Sequence, residues 1–188
     1  MKLITLLGTI AAALALCFAA GASSGVEERK PVTVFLVRHA ETAGSTKTER
    51  DPALSEEGRE RAAALSRLLA KAGVTHLFAS EFVRTGTTVG PLAEALGLEV
   101  KHIGAREGDA QAEALRALPP GSIAVVAGHS NTVPALVRKL GGGQLADLEQ
   151  HATYGEMFPH DAYDRLVQVI LPAAEGTAAQ TIELRYGR

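Results

Sequence analysis

The chain has 188 residues, with 19 Lys or Arg against 21 Asp or Glu, so its formal net charge is −2 at pH 7. This near-neutral balance, without a run of basic residues, argues against nucleic acid as a partner. The single cysteine, Cys17, lies in an apolar N-terminal segment, so the rest of the chain can form neither disulfides nor a cysteine-based zinc site. Its fold must therefore be held together by a hydrophobic core.

The first 22 residues have the order of features that is typical of a secretory signal peptide. Lys2 supplies positive charge, Leu3–Ala20 contains no charged residue, and Ala20-Gly21-Ala22 resembles a cleavage site. We expect an exported protein, periplasmic or secreted, without stable membrane insertion after cleavage. An uncleaved anchor is the alternative, because about 18 apolar residues can just span a bilayer. Lipid attachment at Cys17 is a further alternative, which the large Leu16 before it disfavours.

Residues 23–30 are small, polar and charged, and they predict a flexible lead-in to one domain over residues 31–188. The first predicted strand, Val32–Val37, is a continuous apolar run of the kind that is buried on both faces of a sheet. A polar loop over residues 43–53 follows. It leads to a helix that Ser55 can cap and Gly73 can stop, with apolar residues at helical spacing between them.

The remaining elements alternate between strand and helix. A second strand, His76–Ala79, precedes a helical stretch that Ser80 can cap and Gly97 can end, and Pro91 inside it predicts a kink or a split. The elements expected next are a strand at Glu99–Ile103, a helix at Asp109–Leu118, an apolar strand at Ile123–Ala127, a helix at Thr132–Leu140, and two paired strands at Arg165–Leu171 and Thr181–Tyr186. This order predicts an α/β fold, a three-layer α/β/α sandwich with a mostly parallel sheet.

Polar residues follow three of these strands, close to the point where each strand ends. Arg38 and His39 follow the first strand, Arg84 lies just beyond the second, and His129 follows the strand at 123–127. Because ligands of such sheets bind beyond the carboxyl ends of the strands, we expect these side chains at one edge. Arg binds phosphate oxygens bidentately, and a neutral imidazole can attack phosphorus. The set therefore predicts a phosphate site with no metal and no organic cofactor.

The same segments resemble the histidine phosphatase, or phosphoglycerate mutase-like, superfamily. The segments that carry the likeness are Leu36-Val37-Arg38-His39-Ala40-Glu41, Asp51–Gly58, Ser80–Thr85 and Gly128-His129-Ser130. The resemblance implies a phosphoglycerate mutase-like fold and a phosphohistidine intermediate on His39. It also implies Arg38 and Arg84 as phosphate ligands and His129 as the second pocket histidine. The short chain, without a large insertion, is similar to small bacterial members, including phosphohistidine phosphatases.

Some positions depart from the family's pattern. Ala40 replaces the Gly that usually follows the nucleophile, and Ser45 stands where many members carry Asn. We expect the Ser45 hydroxyl to bind phosphate there. Ser130 stands where the acid-phosphatase and phytase branch has Asp, so the proton donor is expected at the mutase-like position. That position points to Glu107, with Asp109 as the alternative.

The predicted function is an exported phosphomonoesterase that hydrolyses a small phosphate ester or a phosphoprotein. One alternative is a phosphoglycerate mutase-type phosphotransferase, which the export signal disfavours because glycolytic substrates are cytoplasmic. Another is a non-catalytic phosphate-binding domain. The histidines His76, His102, His151 and His160 lack metal-ligand spacing and are predicted to be exposed or structural. Tyr163-Asp164-Arg165, before the late strand, is predicted to form structural pairs at the sheet edge.

Overall fold

The computed structural model describes residues 30–44, 50–174 and 176–187. The predicted signal peptide, the lead-in as far as residue 29 and Ser45 lie outside the described residues. In the described part the strands are β1 (Val32–Arg38), β2 (His76–Ala79), β3 (Val100–His102), β4 (Ile123–Gly128), β5 (Glu149–His151), β6 (Gly155–Met157), β7 (Arg165–Leu171) and β8 (Gln180–Arg185). The helices are α1 (Glu56–Leu69), α2 (Val83–Leu96), α3 (Gly108–Arg116) and α4 (Thr132–Lys139).

Six of these strands form one sheet in the order β3-β2-β4-β1-β7-β8. The pairs β2–β3, β2–β4 and β1–β4 are parallel, whereas β7 runs antiparallel to both β1 and β8. The prediction of an α/β fold with a mostly parallel sheet is thereby confirmed. The last two strands pair with each other, as the sequence indicates.

Helices cover both faces of the sheet. Successive residues of a buried strand point to opposite faces, so neighbouring residues of β1 pack in different clusters. Leu36 of β1 packs in a cluster with Leu115 of α3 and Leu136 of α4. Its neighbour Val37 packs in a second cluster, which contains Leu65 of α1 and residues of α2. The continuous apolar run of β1 is explained by this burial on two sides, which gives the three layers that were predicted.

The start of α1 is built around Ser55 and Gly58. The Ser55 hydroxyl accepts a hydrogen bond from the Gly58 N–H at 3.1 Å, as expected of a helix cap. The Ser55 N–H in turn donates to the Glu41 carbonyl at 2.9 Å. A Cβ on Gly58 would lie only 2.0 Å from that carbonyl oxygen. Gly58 therefore allows α1 to begin directly against the chain that leaves β1.

Two local predictions about α2 need correction. The helix runs unbroken from Val83 to Leu96, so Pro91 does not split it, while a kink at Pro91 stays a prediction. Buried residues on both sides of the proline hold the helix in place, and the Pro91 carbonyl accepts a hydrogen bond from Ser66 of α1. Nor does Ser80 cap the helix, since the N-cap is Phe82 and no side chain caps it there. Ser80 is buried instead, where it serves another contact described below.

The hairpin of β5 and β6 has no counterpart among the predicted elements. Its strands have three residues each, and those of β5 are exposed, so they show no apolar alternation by which a strand could be recognised. The hairpin packs against α4. No helix within the described ranges is long and apolar enough to cross a membrane.

Candidate active site

The two histidines predicted from the sequence meet at the carboxyl ends of two neighbouring strands. In the parallel pair β1–β4, Arg38 lies opposite Gly128, so His39 and His129 each stand one residue beyond the pairing. The His39 N–H donates to the Gly128 carbonyl at 2.8 Å, which extends the ladder to the site. The centroids of the two imidazole rings are 5.4 Å apart. A single phosphoryl group between these rings could contact both.

The tautomer of His39 follows from one contact. Its Nδ1 lies 2.8 Å from the carbonyl oxygen of Ala40. Because a carbonyl can only accept, the proton of the neutral ring is on Nδ1, and Nε2 keeps its lone pair. The residue is buried, with 8% of its surface exposed. His39 thus presents an unprotonated, oriented Nε2, as attack on phosphorus requires.

His129 is held by a short chain of hydroxyl groups. Its Nε2 lies 2.9 Å from the Ser80 hydroxyl, which lies 2.9 Å from the Thr85 hydroxyl. Ser80 and Thr85 are both buried. The edge of the Phe82 ring meets the imidazole with the centroids 5.1 Å apart. The Ser80 side chain therefore fixes the orientation of His129, which explains why it does not cap α2.

Both imidazoles are neutral near pH 7. Burial is the main cause that lowers the pKa of His39 to about 3, with the positive charges of Arg38 and Arg84 acting in the same direction. Burial likewise lowers the pKa of His129 to about 4, again with help from the two arginines. An anion bound between the rings would offset these positive charges and favour a proton on His129.

Arg84 lies in the first turn of α2, and its guanidinium carbon lies over the Phe82 ring, 4.3 Å from the ring centroid. Its Nη1 donates to the Asp51 carboxylate at 2.9 Å. The other oxygen of Asp51 accepts from the Val83 N–H at 2.7 Å, at the N-terminus of α2. Asp51 therefore fixes both the helix start and the arginine, and leaves the remaining N–H groups of Arg84 for a ligand.

Arg38 is engaged mainly with the chain that precedes β7. Its Nη1 donates to the carbonyls of Pro159 and His160, and its Nη2 donates to the Tyr163 hydroxyl at 3.1 Å. The guanidinium lies over the Tyr163 ring at 3.9 Å. Burial lowers the pKa of Arg38. Its Nε–H is buried and has no partner among the described residues, so this donor lacks an acceptor that an anion could supply.

A cavity of about 660 Å³ opens beside His39, Arg84 and His129. Its lining comes from the ends of β1 and β4, the start of α2, the turn before α3, α3, α4 and the turn between β5 and β6. Its lining residues are His39, Phe82, Arg84, Ala105, Arg106, Gly108, Gln111, His129, Ser130, Asn131, Thr132, Ala135, Leu136, Lys139 and Tyr154. Three of them are cationic, and no carboxylate is among the described residues that line the cavity. The arrangement suits an anionic ligand.

Of the other predicted site residues that the structure describes, Arg38, Glu107 and Asp109 do not line this cavity. The Glu107 carboxylate accepts from the Gly104 N–H at 3.2 Å and does not line the cavity, although both of its neighbours in sequence do. The Asp109 carboxylate is exposed and paired with Lys139. Ser45 lies outside the described residues. The roles of Glu107 as acid and of Ser45 as phosphate ligand stay predictions.

Several residues of the site were not predicted from the sequence. Tyr163 holds Arg38, and its ring centroid lies 6.1 Å from that of His39. The buried Thr88 hydroxyl accepts from the Ala40 N–H at 2.9 Å and donates to the Arg84 carbonyl at 2.7 Å, so it joins the end of β1 to α2. Its position four residues after Arg84, on the same face of a helix, is a signal that could have pointed to it.

Two other sequence-based expectations concern structural residues and metals. Asp164 pairs with Arg185, and the buried Arg165 pairs with Glu183, so the predicted structural role of this segment is confirmed for both residues. Among the residues that the structure describes, no group of three or more His, Cys, Asp or Glu could hold a metal ion.

The lowered pKa values predict how the folding free energy depends on pH. Below about pH 6.5 the unfolded chain protonates His39 and His129, while the folded chain keeps both rings neutral down to about pH 4 for His129 and about pH 3 for His39. The free energy of unfolding should thus fall as the pH falls through this window. The slope approaches about 1.4 kcal/mol per pH unit for each histidine.

The measurement is urea unfolding between pH 7 and pH 5 in phosphate-free buffer. A His39→Gln/His129→Gln double variant cannot take up these protons, so its stability should depend less steeply on pH. Equal losses of stability in the wild type and the double variant would contradict the assignment of two buried neutral imidazoles.

The sequence model of the family described as "Histidine phosphatase superfamily (branch 1)" matches residues 34–109. A probable phosphoglycerate mutase GpmB of Serratia proteamaculans and one of Erwinia tasmaniensis are each 37% identical over 71 residues, which is 36% of this chain and 33% of the relative. The chain thus spans about a third of the length of the curated relatives that it matches.

Solved structures extend the likeness over most of the chain. A structure of the protein histidine phosphatase SixA with tungstate has a TM-score of 0.61 at 17% identity, covering 81% of this chain and 96% of its own. A mycobacterial glucosyl-3-phosphoglycerate phosphatase has a TM-score of 0.58 at 16% identity, covering 82% and 98%. At such identities the likeness shows a shared fold. The family match over residues 34–109 and this shared fold make the chain similar to members of the histidine phosphatase superfamily.

Proposed function

We propose that this protein is an exported phosphomonoesterase that hydrolyses its substrate through a phosphohistidine on His39 and needs no metal. The observation that carries the proposal is the state of His39, which is neutral, buried and fixed with Nε2 unprotonated. It stands beside His129 and within the field of Arg38 and Arg84. A nucleophile next to concentrated positive charge is what phosphoryl transfer requires.

In the first step, Nε2 of His39 forms a bond to phosphorus while the ester P–O bond breaks. Negative charge builds up on the phosphoryl oxygens as this happens. In the proposed mechanism Arg84 and Arg38 stabilise that charge, which the free Nε–H of Arg38 and the lining position of Arg84 support. His129 hydrogen-bonds the same group, and a bound dianion raises its tendency to carry a proton. The leaving oxygen takes up a proton as it departs.

In the second step, water attacks the phosphohistidine, the N–P bond breaks, and inorganic phosphate leaves with His39 neutral again. Glu107 is the proposed acid of the first step and base of the second, since Arg106 and Gly108 on either side of it line the cavity. To act, its carboxylate must exchange the hydrogen bond with Gly104 for one to the leaving group. A substrate bound in the cavity would provide this new hydrogen-bond partner.

Export is part of the proposal because of the signal-like residues 1–22. A phosphatase outside the cytoplasm would meet its substrate away from glycolytic intermediates. N-terminal sequencing of the protein from the exported fraction should begin near Ser23. Recovery only from the cytoplasm, with Met1 intact, would count against export.

The test of the proposed function is phosphate release from 4-nitrophenyl phosphate in the presence of EDTA. We expect turnover without added metal and, after rapid quenching in base, a phosphoenzyme that is stable in base and lost in acid. Absence of any phosphate release would reject the esterase and favour a non-catalytic phosphate-binding domain. Activity that EDTA abolishes would reject the metal-free mechanism.

A phosphotransferase is the second candidate, and the curated relatives, named as probable phosphoglycerate mutases, are the observation that favours it. The two candidates differ in what accepts the phosphoryl group from His39. With phosphoglycerate as the substrate, an esterase releases inorganic phosphate, whereas a mutase converts one isomer to the other and releases little. A phosphate assay and isomer analysis on one reaction mixture distinguish them.

A further inference from the structure

We infer that the substrate is a small phosphate monoester with a second anionic group, and that Arg106 and Lys139 bind this second group. This inference rests on the proposed function, because it concerns the part of the cavity that receives the remainder of the substrate. Its starting point is the excess of positive charge along a cavity that needs only part of that charge for one phosphate.

The cavity extends from the histidines along one face of α4. Four residues of this helix line it, namely Thr132, Ala135, Leu136 and Lys139, which follow the i, i+3, i+4, i+7 spacing of a single helix face. Thr132 lies beside His129, whose N–H donates to the Thr132 hydroxyl at 2.8 Å. Seven residues later, Lys139 is displaced by about 10 Å along the helix axis. The cavity therefore has a reacting end and a separate cationic end.

Binding one phosphate group requires only some of the positive charge in and around the cavity. Arg84 and Arg38, whose positive charges both act on His39 and His129, already match a phosphate dianion. Arg106 and Lys139 add two further cations to the lining, and no described lining residue is acidic. A cleft lined by one sign of charge concentrates ligands of the opposite sign. One phosphate leaves this additional charge unused, whereas a second anionic group uses it.

Lys139 is held in place at the cationic end. Its side chain crosses the start of α3, where a Cβ on Gly108 would lie 3.3 Å from the Lys139 Cε. Arg116 donates to the Lys139 carbonyl. The ammonium group is paired with Asp109, whose side chain is almost fully exposed. Such an exposed pair is weak, so a substrate anion can take the place of Asp109 without a large penalty.

Arg106 faces the cavity from the turn between β3 and α3. It is exposed, and within the described part of the chain no ion pair or side-chain hydrogen bond involves it. A surface arginine of this kind is often only a solubilising charge. Here it shares a cavity with Lys139 and the two histidines, so its charge acts on whatever occupies that cavity.

The wall between the two ends is apolar and small. Ala135 and Leu136 separate the histidines from Lys139 along α4. The cavity of about 660 Å³ lies in the size range of small-molecule sites. A short carbon linker between a phosphate ester and a carboxylate or second phosphate fits this order of charged, apolar and charged walls. A carboxylate stands for the second anion in the test below.

The test compares two phosphonates that the enzyme cannot hydrolyse, since their phosphorus is bonded to carbon. 2-Carboxyethylphosphonate carries the second anion, and 3-hydroxypropylphosphonate has an alcohol in its place. By calorimetry, the wild type should bind the carboxylate compound about tenfold more tightly, as for a charge-assisted contact. In an Arg106→Gln/Lys139→Gln double variant this preference should fall below about threefold. Lys71→Gln, an exposed lysine in the turn after α1, is the matched control and should keep the full preference.

The outcomes separate this inference from the proposed function. Equal affinities of the wild type for the two phosphonates would overturn the inference, even if 4-nitrophenyl phosphate is hydrolysed. A preference that survives in the double variant would overturn the assignment to Arg106 and Lys139. If the preference depends on these residues but no phosphate ester is hydrolysed, the second-anion site stands and the esterase falls.

Discussion

Replacing His39 with alanine is expected to lower kcat/KM for 4-nitrophenyl phosphate by at least about 10⁴-fold, or about 5 kcal/mol of transition-state stabilisation. The physical reason is that the substitution removes the atom that, in the proposed mechanism, forms the bond to phosphorus. The positive charge that remains can bind phosphate but cannot form a covalent intermediate. The phosphoenzyme should disappear together with the activity.

The control for this variant is His76→Ala, which removes a histidine at the start of β2, at the opposite end of the sheet from the cavity. It should keep kcat/KM within about twofold of the wild type, as for substitutions away from a site. Calorimetry with inorganic phosphate shows whether His39→Ala still has a formed pocket. A folded His39→Ala protein that keeps more than a tenth of the wild-type activity would show that another residue is the nucleophile.

Replacing Arg84 with glutamine is expected to lower kcat about 10²- to 10³-fold, as is typical for the loss of one donor to a developing charge. Glutamine keeps a polar group of similar reach but removes the charge and the planar fork of donors. In the proposed mechanism the guanidinium stabilises charge that grows in the transition state, so kcat should fall more than the affinity for substrate.

Asp51→Asn provides the matched control for Arg84. The carbonyl oxygen of the introduced asparagine side chain can still accept from the Val83 N–H, so α2 can begin as before, but the charged partner of Arg84 is lost. We expect a smaller loss, of about tenfold or less, because the arginine is present but held less firmly. An Arg84→Gln variant with nearly wild-type kcat, or a larger loss in Asp51→Asn than in Arg84→Gln, would contradict the role given to Arg84.

The elements that could be predicted from the sequence are those with a strong local signal. The apolar run of β1 and the capped start of α1 at Ser55 fall within a residue or two of their predicted places. The hairpin of β5 and β6 could not be predicted, because its strands have only three residues each and carry no hydrophobic pattern. Pro91 shows the reverse case, since packing on both sides of it keeps α2 whole against a local preference to break.

The features of the site likewise divide into those that the sequence could predict and those that it could not. That His39, Arg84 and His129 meet at one edge follows from the sequence, because parallel strands end together and each of these residues follows a strand. Glu107 shows where this reasoning stops. Its place in the chain puts it beside the cavity, but its carboxylate turns to Gly104, since a side-chain torsion is decided by the contacts around it.

The sequence by itself determined the fold class, the superfamily resemblance and the residues that converge on one edge of the sheet. These depend on the order of strands and helices and on motif spacing, which are properties of the chain. Only the tertiary structure decided that His39 is neutral with Nε2 free, that Ser80 orients His129 instead of capping α2, and that Lys139 shares the cavity with Arg106. Burial, tautomer and the sum of charges in a cavity depend on residues far apart in sequence, so no local pattern encodes them.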